Sequence, residues 1–151
     1  MTDRNVVHAT FHIERTYPVP PARVFAAWAT PEAKARWFDG PEGTEIYERS
    51  MDFRPGGSER LWGKHPGGKV SDFQARYFEV IPDERIIYAY DMWQDGVKLS
   101  VSLATIEFHA AGAGTRLVMT EQGAFLDGYD DAGGREEGTR WLLEKLGAAL
   151  G

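Results

Sequence analysis

The sequence predicts an α+β domain in which a curved antiparallel sheet of about seven strands wraps around one long C-terminal helix. Three observations lead to this fold class: segments rich in β-branched and aromatic residues, short glycine- and proline-containing turns between successive segments, and one long helical pattern at the end of the chain. Short turns imply antiparallel neighbours, because parallel strands need a long crossover. A length of 151 residues suits a single domain, residues 1–151.

The first elements are a strand and two short helices. A strand is expected over residues 8–17, and three prolines within residues 18–21 end it and open a helix. Thr30 and Pro31 interrupt that helix and restart it, as an N-cap followed by proline at the first helical position. Two short helices are therefore predicted to run to about residue 38. One face of the strand carries the apolar residues Ala9, Phe11, Ile13 and Tyr17.

Six strands and a helix complete the prediction. The strands are expected over residues 44–53, 58–63, 73–81, 85–93, 98–108 and 115–122. A stretch rich in glycine and aspartate, residues 127–134, then precedes a helix over about residues 135–150. A helix of that length measures about 22 Å. It can cover one face of a bent sheet without filling it, so we expect a hollow between helix and sheet.

The composition excludes several function classes. The net charge of −6 argues against a nucleic-acid backbone or an anionic membrane as the main partner. The chain has no cysteine, which excludes disulfides and thiolate chemistry. No apolar run approaches the length of a membrane span, and residues 1–5 are polar with no apolar signal segment behind them. A cytoplasmic protein is therefore expected.

Aromatic residues carry the functional hypothesis. They make up 13% of the chain, and large rings can line a cavity without collapsing into it. Tyr88 and Tyr90 share one strand face, and Val101 and Leu103 are assigned to the same face of the sheet on the next strand. The alternative is that most of these rings are plain core, and one bulge would reverse the parity. The predicted pocket residues are Trp28, Trp37, Trp62, Phe73, Tyr77, Tyr88, Tyr90, Leu103, Met119, Glu121 and Trp141.

No motif establishes catalysis, a metal site or a cofactor. His8 and His12 stand about 13 Å apart along one strand, too far to share a metal ion. No zinc-protease, nucleophile-elbow or phosphate-binding motif occurs in the sequence. Glu121 shares its strand parity with Met119, so it is expected to face the cavity with a raised pKa, as an acid, a base or a ligand anchor. The alternative places Glu121 at the rim, paired with an arginine.

Several segments resemble a known superfamily. Residues 20–28 (PPARVFAAW), followed by Pro31-Glu32 and Trp37-Phe38, resemble the opening of the SRPBCC (START-like) superfamily. Residues 51–57 (MDFRPGG) are similar to a strand and turn of its subgroup named for homology to the activator of heat-shock-protein ATPase. Residues 79–86 (EVIPDERI) and 114–117 (GTRL) extend the resemblance, in the expected order, over nearly the whole chain.

The resemblance implies a helix-grip fold with a deep cavity between the sheet and the C-terminal helix. It implies no single activity, because the superfamily includes lipid and hormone carriers and polyketide cyclases. The sequence also departs from the subgroup. A Gly-Trp pair usually opens the last helix there, whereas Gly138 is followed by Thr139 here, with Trp141 three residues past the glycine. The resemblance therefore carries no ligand identity for this chain.

Three functions are compatible with these observations. The first is binding of a small hydrophobic molecule that has an apolar body and one polar handle. The second is a cofactor-free enzyme, such as a cyclase, dehydratase or hydrolase, with Glu121, Asp91, Arg60 or Arg76 and tyrosine hydroxyls as acid–base groups. The third is a chaperone-interaction module, as the subgroup's name suggests. Exposed strand edges and aromatic rims are also compatible with a homodimer.

Overall fold

The computed structural model describes residues 4–151. The first three residues of the predicted polar terminus, 1–3, therefore lie outside the described residues. One strand, two short helices, six strands and one long helix follow one another, which confirms the α+β architecture predicted from the sequence. The elements are β1 (Val6–Tyr17), α1 (Pro21–Ala29), α2 (Pro31–Ala35), β2 (Glu45–Met51), β3 (Ser58–Lys64), β4 (Val70–Ile81), β5 (Arg85–Gln94), β6 (Val97–Ala111), β7 (Gly114–Leu126) and α3 (Ala132–Ala149).

The seven strands form one antiparallel sheet in the order β1-β7-β6-β5-β4-β3-β2. Strands β2 to β7 are a meander, and β1 pairs with β7 at the far edge. The register shifts between Ile46 and Glu48, between Tyr77 and Glu79, and between Met92 and Trp93. Such irregularities bend strands and increase their twist, so they help the sheet to curve around α3.

The core fills one end of the space between the sheet and the helices. Leu143 and Leu146 of α3 are buried there, and the Tyr17 hydroxyl of β1 donates a 2.8 Å hydrogen bond to the backbone oxygen of Leu143. From α1, Phe25 packs edge-on against Phe108 of β6 with 5.5 Å between ring centroids. The other end of the same space is not filled by side chains, and the cavity described below lies there.

The start of α3 differs from the prediction. The helix begins at Ala132, three residues earlier than expected, and includes Gly133 and Gly134. The side chain of Asp131 caps it by accepting a 2.7 Å hydrogen bond from the backbone N–H of Gly134. A cap satisfies amide donors that the first turn leaves free, which offsets the low helix propensity of glycine. The predicted cap at Thr30 is confirmed, since its Oγ1 accepts from the Ala33 N–H at 3.1 Å.

Strand β7 is longer than predicted. It continues to Leu126, whereas the prediction ended it at residue 122, directly before Gly123. The glycine is instead required by a close approach: a Cβ at this position would lie 2.8 Å from the Phe125 ring. Gly123 pairs with Ala9 of β1 and with Ser102 of β6, so the ladder passes through it without interruption.

Candidate functional site

A cavity of about 300 Å³ lies between the concave face of the sheet and α3. Side chains from β2, β3, β4, β5 and β7 form its floor, α3 forms its roof, and the segment from Trp28 to Thr44 closes one side. Its volume stands at the lower end of the range of about 300–1,000 Å³ in which small-molecule sites fall. The hollow expected between sheet and helix is therefore present.

Most of the predicted pocket residues line this cavity, and three do not. Tyr77, Trp62 and Leu103 lie elsewhere, as described next. The predicted residues found in the cavity wall are Trp28, Trp37, Phe73, Tyr88, Tyr90, Met119, Glu121 and Trp141.

Leu103 lies on the outer face of the sheet, opposite to the prediction, with 39% of its surface exposed. In an antiparallel pair, directly opposed residues point to the same side. Tyr88 pairs with Ala104 and Tyr90 with Ser102, so the small residues of β6 face inward. Leu103 and its neighbour Val101 consequently face outward. The prediction that Val101 and Leu103 lie on the inner face of β6 is therefore wrong.

Trp62 also lies on the outer face. Its neighbours Leu61 and Gly63 line the cavity, so Trp62 has the opposite parity on β3. Its ring packs against Tyr47, with 5.1 Å between centroids, and the guanidinium of Arg60 lies 4.5 Å from its ring centroid. The prediction that Trp62 lines the cavity is therefore wrong.

Tyr77 does face inward, but it belongs to the packed core. It is 1% exposed, and its ring meets Phe53 edge-on at 5.1 Å. Its hydroxyl donates a hydrogen bond to Oε1 of Glu59. Tyr77 is therefore a core residue held by a buried carboxylate, and it is absent from the cavity wall.

The aromatic wall is held in place by contacts between rings. Phe73 packs against Tyr90 at 4.9 Å and against Phe38 at 5.0 Å, and Trp28 meets Trp37 at 4.6 Å. The indole Nε1 of Trp37 donates a 2.9 Å hydrogen bond to the Ala27 oxygen. These tilted and edge-on arrangements are the favourable geometry for aromatic pairs. The wall is thus preformed.

Two apolar side chains mark the opening of the cavity. Trp141 of α3 is 48% exposed and Ile46 of β2 is 39% exposed, although both line the cavity. Leu142, beside Trp141, also belongs to the wall. Neither Ile46 nor Leu142 was predicted. Leu142 could have been predicted from the sequence, because Arg135, Gly138 and Leu142 recur at helical spacing and share one face of α3.

A polar network lies at one end of the cavity. Tyr90 of β5 donates a 2.7 Å hydrogen bond from its hydroxyl to Oε2 of Glu121 on β7. Arg135 of α3 donates from Nη1 to the same hydroxyl at 2.9 Å, and from Nη2 to Ser100 and Asp130, both at 2.8 Å. Glu121 is therefore inside the cavity and also close to an arginine, with 3.9 Å between its Oε2 and Nη1 of Arg135.

The environment of Glu121 perturbs its protonation. The carboxyl group is 1% exposed, and burial raises its pKa above the ordinary value because the charged form loses its hydration. The hydrogen bond from Tyr90 and the charge of Arg135 oppose that rise. Ser102 of β6 also lowers the pKa, although its Oγ lacks a partner at full hydrogen-bond geometry. Burial likewise raises the pKa of Tyr90, which keeps its hydroxyl protonated.

A second buried polar cluster lies behind the cavity wall and was not predicted. Lys34 of α2 is 2% exposed, and its Nζ lies 2.6 Å from Oε1 of Glu59. The same Nζ is 4.5 Å from the ring centroid of Phe38 and 5.7 Å from that of Tyr88. Burial lowers the pKa of Lys34, and Glu59 opposes the shift. A lysine in a short helix normally faces solvent, so no pattern in the sequence indicated this pair.

The other predicted acid–base candidates lie outside the cavity. Arg60 pairs with Asp72 at 2.7 Å on the outer face of the sheet, and Asp91 lies 3.7 Å from Lys98. The guanidinium of Arg76 stacks over Phe78 on the same face, 5.7 Å from the ring centroid. Only Glu121 of the four lines the cavity. Among residues 4–151, no three His, Asp or Glu side chains are grouped closely enough to hold a metal ion.

Comparisons with known proteins identify the family and the fold of the chain. Residues 18–151 match the family model described as Activator of Hsp90 ATPase homolog 1-like protein. A solved structure of an uncharacterised protein from Rhizobium leguminosarum is 44% identical, with 99% of this chain and 98% of that chain covered and a TM-score of 0.93. A Rhizobium loti protein is 47% identical, with 96% and 99% covered and a TM-score of 0.88.

A more distant structure shares the fold alone. CalU16 from Micromonospora echinospora is 20% identical, covers 99% of this chain and 86% of its own, and has a TM-score of 0.69. No curated protein matches the chain. Within the part of the chain that the structure describes, no helix combines the length and the apolar character needed to cross a membrane.

Proposed function

The chain belongs to the family of Activator of Hsp90 ATPase homolog 1-like proteins, a START/SRPBCC-like family, and on that premise we propose that it binds a small hydrophobic molecule in the cavity under α3. Members of such families commonly bind hydrophobic ligands. The observation that carries the proposal is the ring-lined cavity of about 300 Å³. Its shape suits a compact aromatic or lipid-like body.

Packing physics supports this proposal. An unfilled apolar hollow forfeits the dispersion contacts that its lining atoms would make in a close-packed interior. A ligand that fills the hollow restores those contacts and removes its own apolar surface from water. Because the rings of Phe73, Tyr90, Trp28 and Trp37 already hold one another, binding requires little rearrangement of the wall. The exposed apolar side chains of the opening, Trp141 and Ile46, offer a first apolar contact to an entering molecule.

Gly138 offers a direct test. It lines the cavity on the same helix face as Arg135 and Leu142, and a Cβ built on it meets no atom within 4 Å. A large side chain there would occupy the cavity without a clash at its Cβ. We therefore compare Gly138→Phe with Gly138→Ala, which removes the glycine but adds only a methyl group. Binding of naphthalene and related probes is followed by NMR titration.

The wild-type protein and Gly138→Ala are expected to bind the probe with similar affinity. Gly138→Phe is expected to lose at least about tenfold in affinity, with an unchanged or higher melting temperature because a glycine leaves a helix interior. Equal binding by Gly138→Phe, or no binding by the wild-type protein, would count against the proposal. Native mass spectrometry of the protein purified from its own host would then identify any molecule that it retains.

One observation favours a second function, that of a cofactor-free enzyme. Glu121 is a buried carboxyl group with a raised pKa at the end of an apolar cavity, an environment typical of acid–base residues. An enzyme would return a chemically altered molecule, and Glu121→Gln would abolish the change while binding persisted. A carrier would return the molecule unaltered. A chaperone-interaction role would instead require co-purification with a chaperone, and Gly138→Phe would leave that association intact.

A further inference from the structure

Glu121 has one engaged carboxylate oxygen and one free oxygen. Oε2 accepts the hydrogen bond from Tyr90, whereas no side chain in residues 4–151 donates to Oε1 at full hydrogen-bond geometry. The Ser102 hydroxyl, which also lowers the pKa of Glu121, is itself left without a partner at that geometry. Glu121 lines the cavity, and its Oε1 is not sealed from solvent. A buried carboxylate needs hydrogen-bond donors to replace lost hydration. The free oxygen therefore leaves an unmet acceptor at the end of the cavity.

The neighbouring charges restrict what can meet that acceptor. Apart from its tyrosines, whose pKa values burial raises, the cavity wall has five ionisable residues: Asp39, Glu121, Asp130, Arg135 and His65. Arg135 already donates to Tyr90, Ser100 and Asp130, and Asp39 pairs with Arg49 at 3.1 Å. An anionic ligand would approach Glu121 as a like charge, and it would have to compete for the guanidinium to find a partner.

We infer that the ligand of this cavity carries a hydrogen-bond donor, a hydroxyl or an amine, that binds Oε1 of Glu121, and that the site discriminates against carboxylates. This inference rests on the proposed function and adds the chemical class of the ligand to it. A neutral hydroxyl satisfies the free oxygen directly. A ligand without a donor would cover Oε1 with apolar surface and leave that oxygen without a hydrogen bond, which costs affinity.

The test uses three probes that share one apolar body. They are 2-naphthol, which presents a donor, 2-methoxynaphthalene, which keeps the oxygen but has no donor, and 2-naphthoate, which is an anion. Dissociation constants are measured by calorimetry or NMR with the wild-type protein at pH 8, where 2-naphthol remains largely neutral. We expect 2-naphthol to bind about tenfold or more tightly than 2-methoxynaphthalene, and 2-naphthoate to bind most weakly.

Glu121→Gln provides the matched variant. The glutamine oxygen can keep the hydrogen bond from Tyr90, and its amide nitrogen then takes the place of Oε1. The cavity would present a donor instead of an acceptor, so the advantage of 2-naphthol over 2-methoxynaphthalene should fall below about threefold. Glu84→Gln, in the turn between β4 and β5, makes the same change of charge at an exposed site remote from the cavity. It should leave the ranking as it is.

The outcomes separate this inference from the proposed function. Equal affinities for the three probes, or tightest binding of 2-naphthoate, would overturn the donor assignment and leave a general apolar cavity. Binding of none of the probes would overturn the proposed function and this inference with it. The wild-type series decides the question even if Glu121→Gln fails to fold. Persistence of the 2-naphthol preference in a folded Glu121→Gln protein would show that another group provides it.

Discussion

Lys34 of α2 and Glu59 of β3 form a buried ion pair, with 2.6 Å between Nζ and Oε1 and with 2% and 5% of the respective side chains exposed. The pair lies against the rings of Phe38 and Tyr88, which belong to the cavity wall. It therefore joins α2 to the sheet directly behind the site. Burial of two charges costs hydration, and their mutual attraction, the hydrogen bond from Tyr77 to Glu59 and the contact of the Lys34 ammonium with the Phe38 ring offset that cost.

Removal of one partner of this pair should destabilise the protein strongly. Lys34→Met leaves Glu59 buried and unpaired, and we expect a loss of about 3–5 kcal/mol in the free energy of unfolding. The double variant Lys34→Met/Glu59→Leu should lose less than the sum of the two single variants, because it leaves no unpaired charge. Urea denaturation of the four proteins gives the coupling. Additive losses would show that the two groups do not depend on each other.

The stability of the fold should depend on pH through Glu121. Burial raises its folded-state pKa above the ordinary value of 4.5, so the folded chain holds a proton that the unfolded chain has released. Its contribution is fully present below pH 4.5 and is lost as the pH rises through the folded-state pKa. The other ionisable groups of the network are Tyr90, Arg135 and Asp130, and the test below leaves all three unchanged.

The comparison protein is Glu121→Gln. The difference in unfolding free energy, wild type minus Glu121→Gln, should fall as the pH rises from 4.5 towards neutrality and should be level below that window. Chemical denaturation at a series of pH values measures it. The exposed substitution Glu84→Gln corrects for the general effect of losing one carboxylate. A difference that increases with pH would mean that the network stabilises the carboxylate more than burial destabilises it.

The assignment of sheet faces can be tested with two apolar residues. Leu103→Thr should change the free energy of unfolding by less than about 0.5 kcal/mol and leave probe binding unchanged, because Leu103 lies on the outer face. Met119→Ala, in the cavity wall and 3% exposed, should cost about 2–5 kcal/mol and alter probe affinity. Thermal unfolding and NMR titration of both variants provide the data. The reverse pattern would place Leu103 inside.

The cap of α3 should matter to both stability and binding. Asp131→Ala removes the acceptor for the Gly134 N–H and is expected to cost about 1 kcal/mol, because two glycines in the first turn depend on that cap. Arg135 lies one turn further on, so a frayed start would also loosen its contacts with Tyr90 and Ser100. Asp131→Asn, which keeps an accepting oxygen, should behave nearly as the wild type. Hydrogen exchange at residues 134–138 reports the fraying directly.

The sequence was sufficient to predict the order of elements, the meander and the hollow under the last helix. Those features depend on local signals: alternating apolar residues, turn glycines and prolines, and the cap at Thr30. Most of the aromatic residues of the cavity wall were also predicted, because alternation along a strand shows which aromatic side chains share a face. Whether these residues bind a ligand stays a prediction, as does a homodimer.

The errors arose where the decisive information was not local. The inward face of β6 is set by pairing of Ala104 with Tyr88, and its small inward residues offered no apolar signal against Leu103. The pair Lys34–Glu59 joins residues 25 positions apart, so no short pattern contains it. Arg135 was assigned to a helix end, but only the closed fold shows that it meets Tyr90 across the cavity.

The glycines of α3 make the cavity adjustable. Gly134 and Gly138 line it from the roof, and a Cβ added at Gly138 would meet no atom within 4 Å. We expect a substitution there to resize the cavity and to leave the strands, the cap at Asp131 and the packed core as they are. We therefore expect substitutions at this one helix position to change which apolar probes the cavity admits, with little penalty to folding.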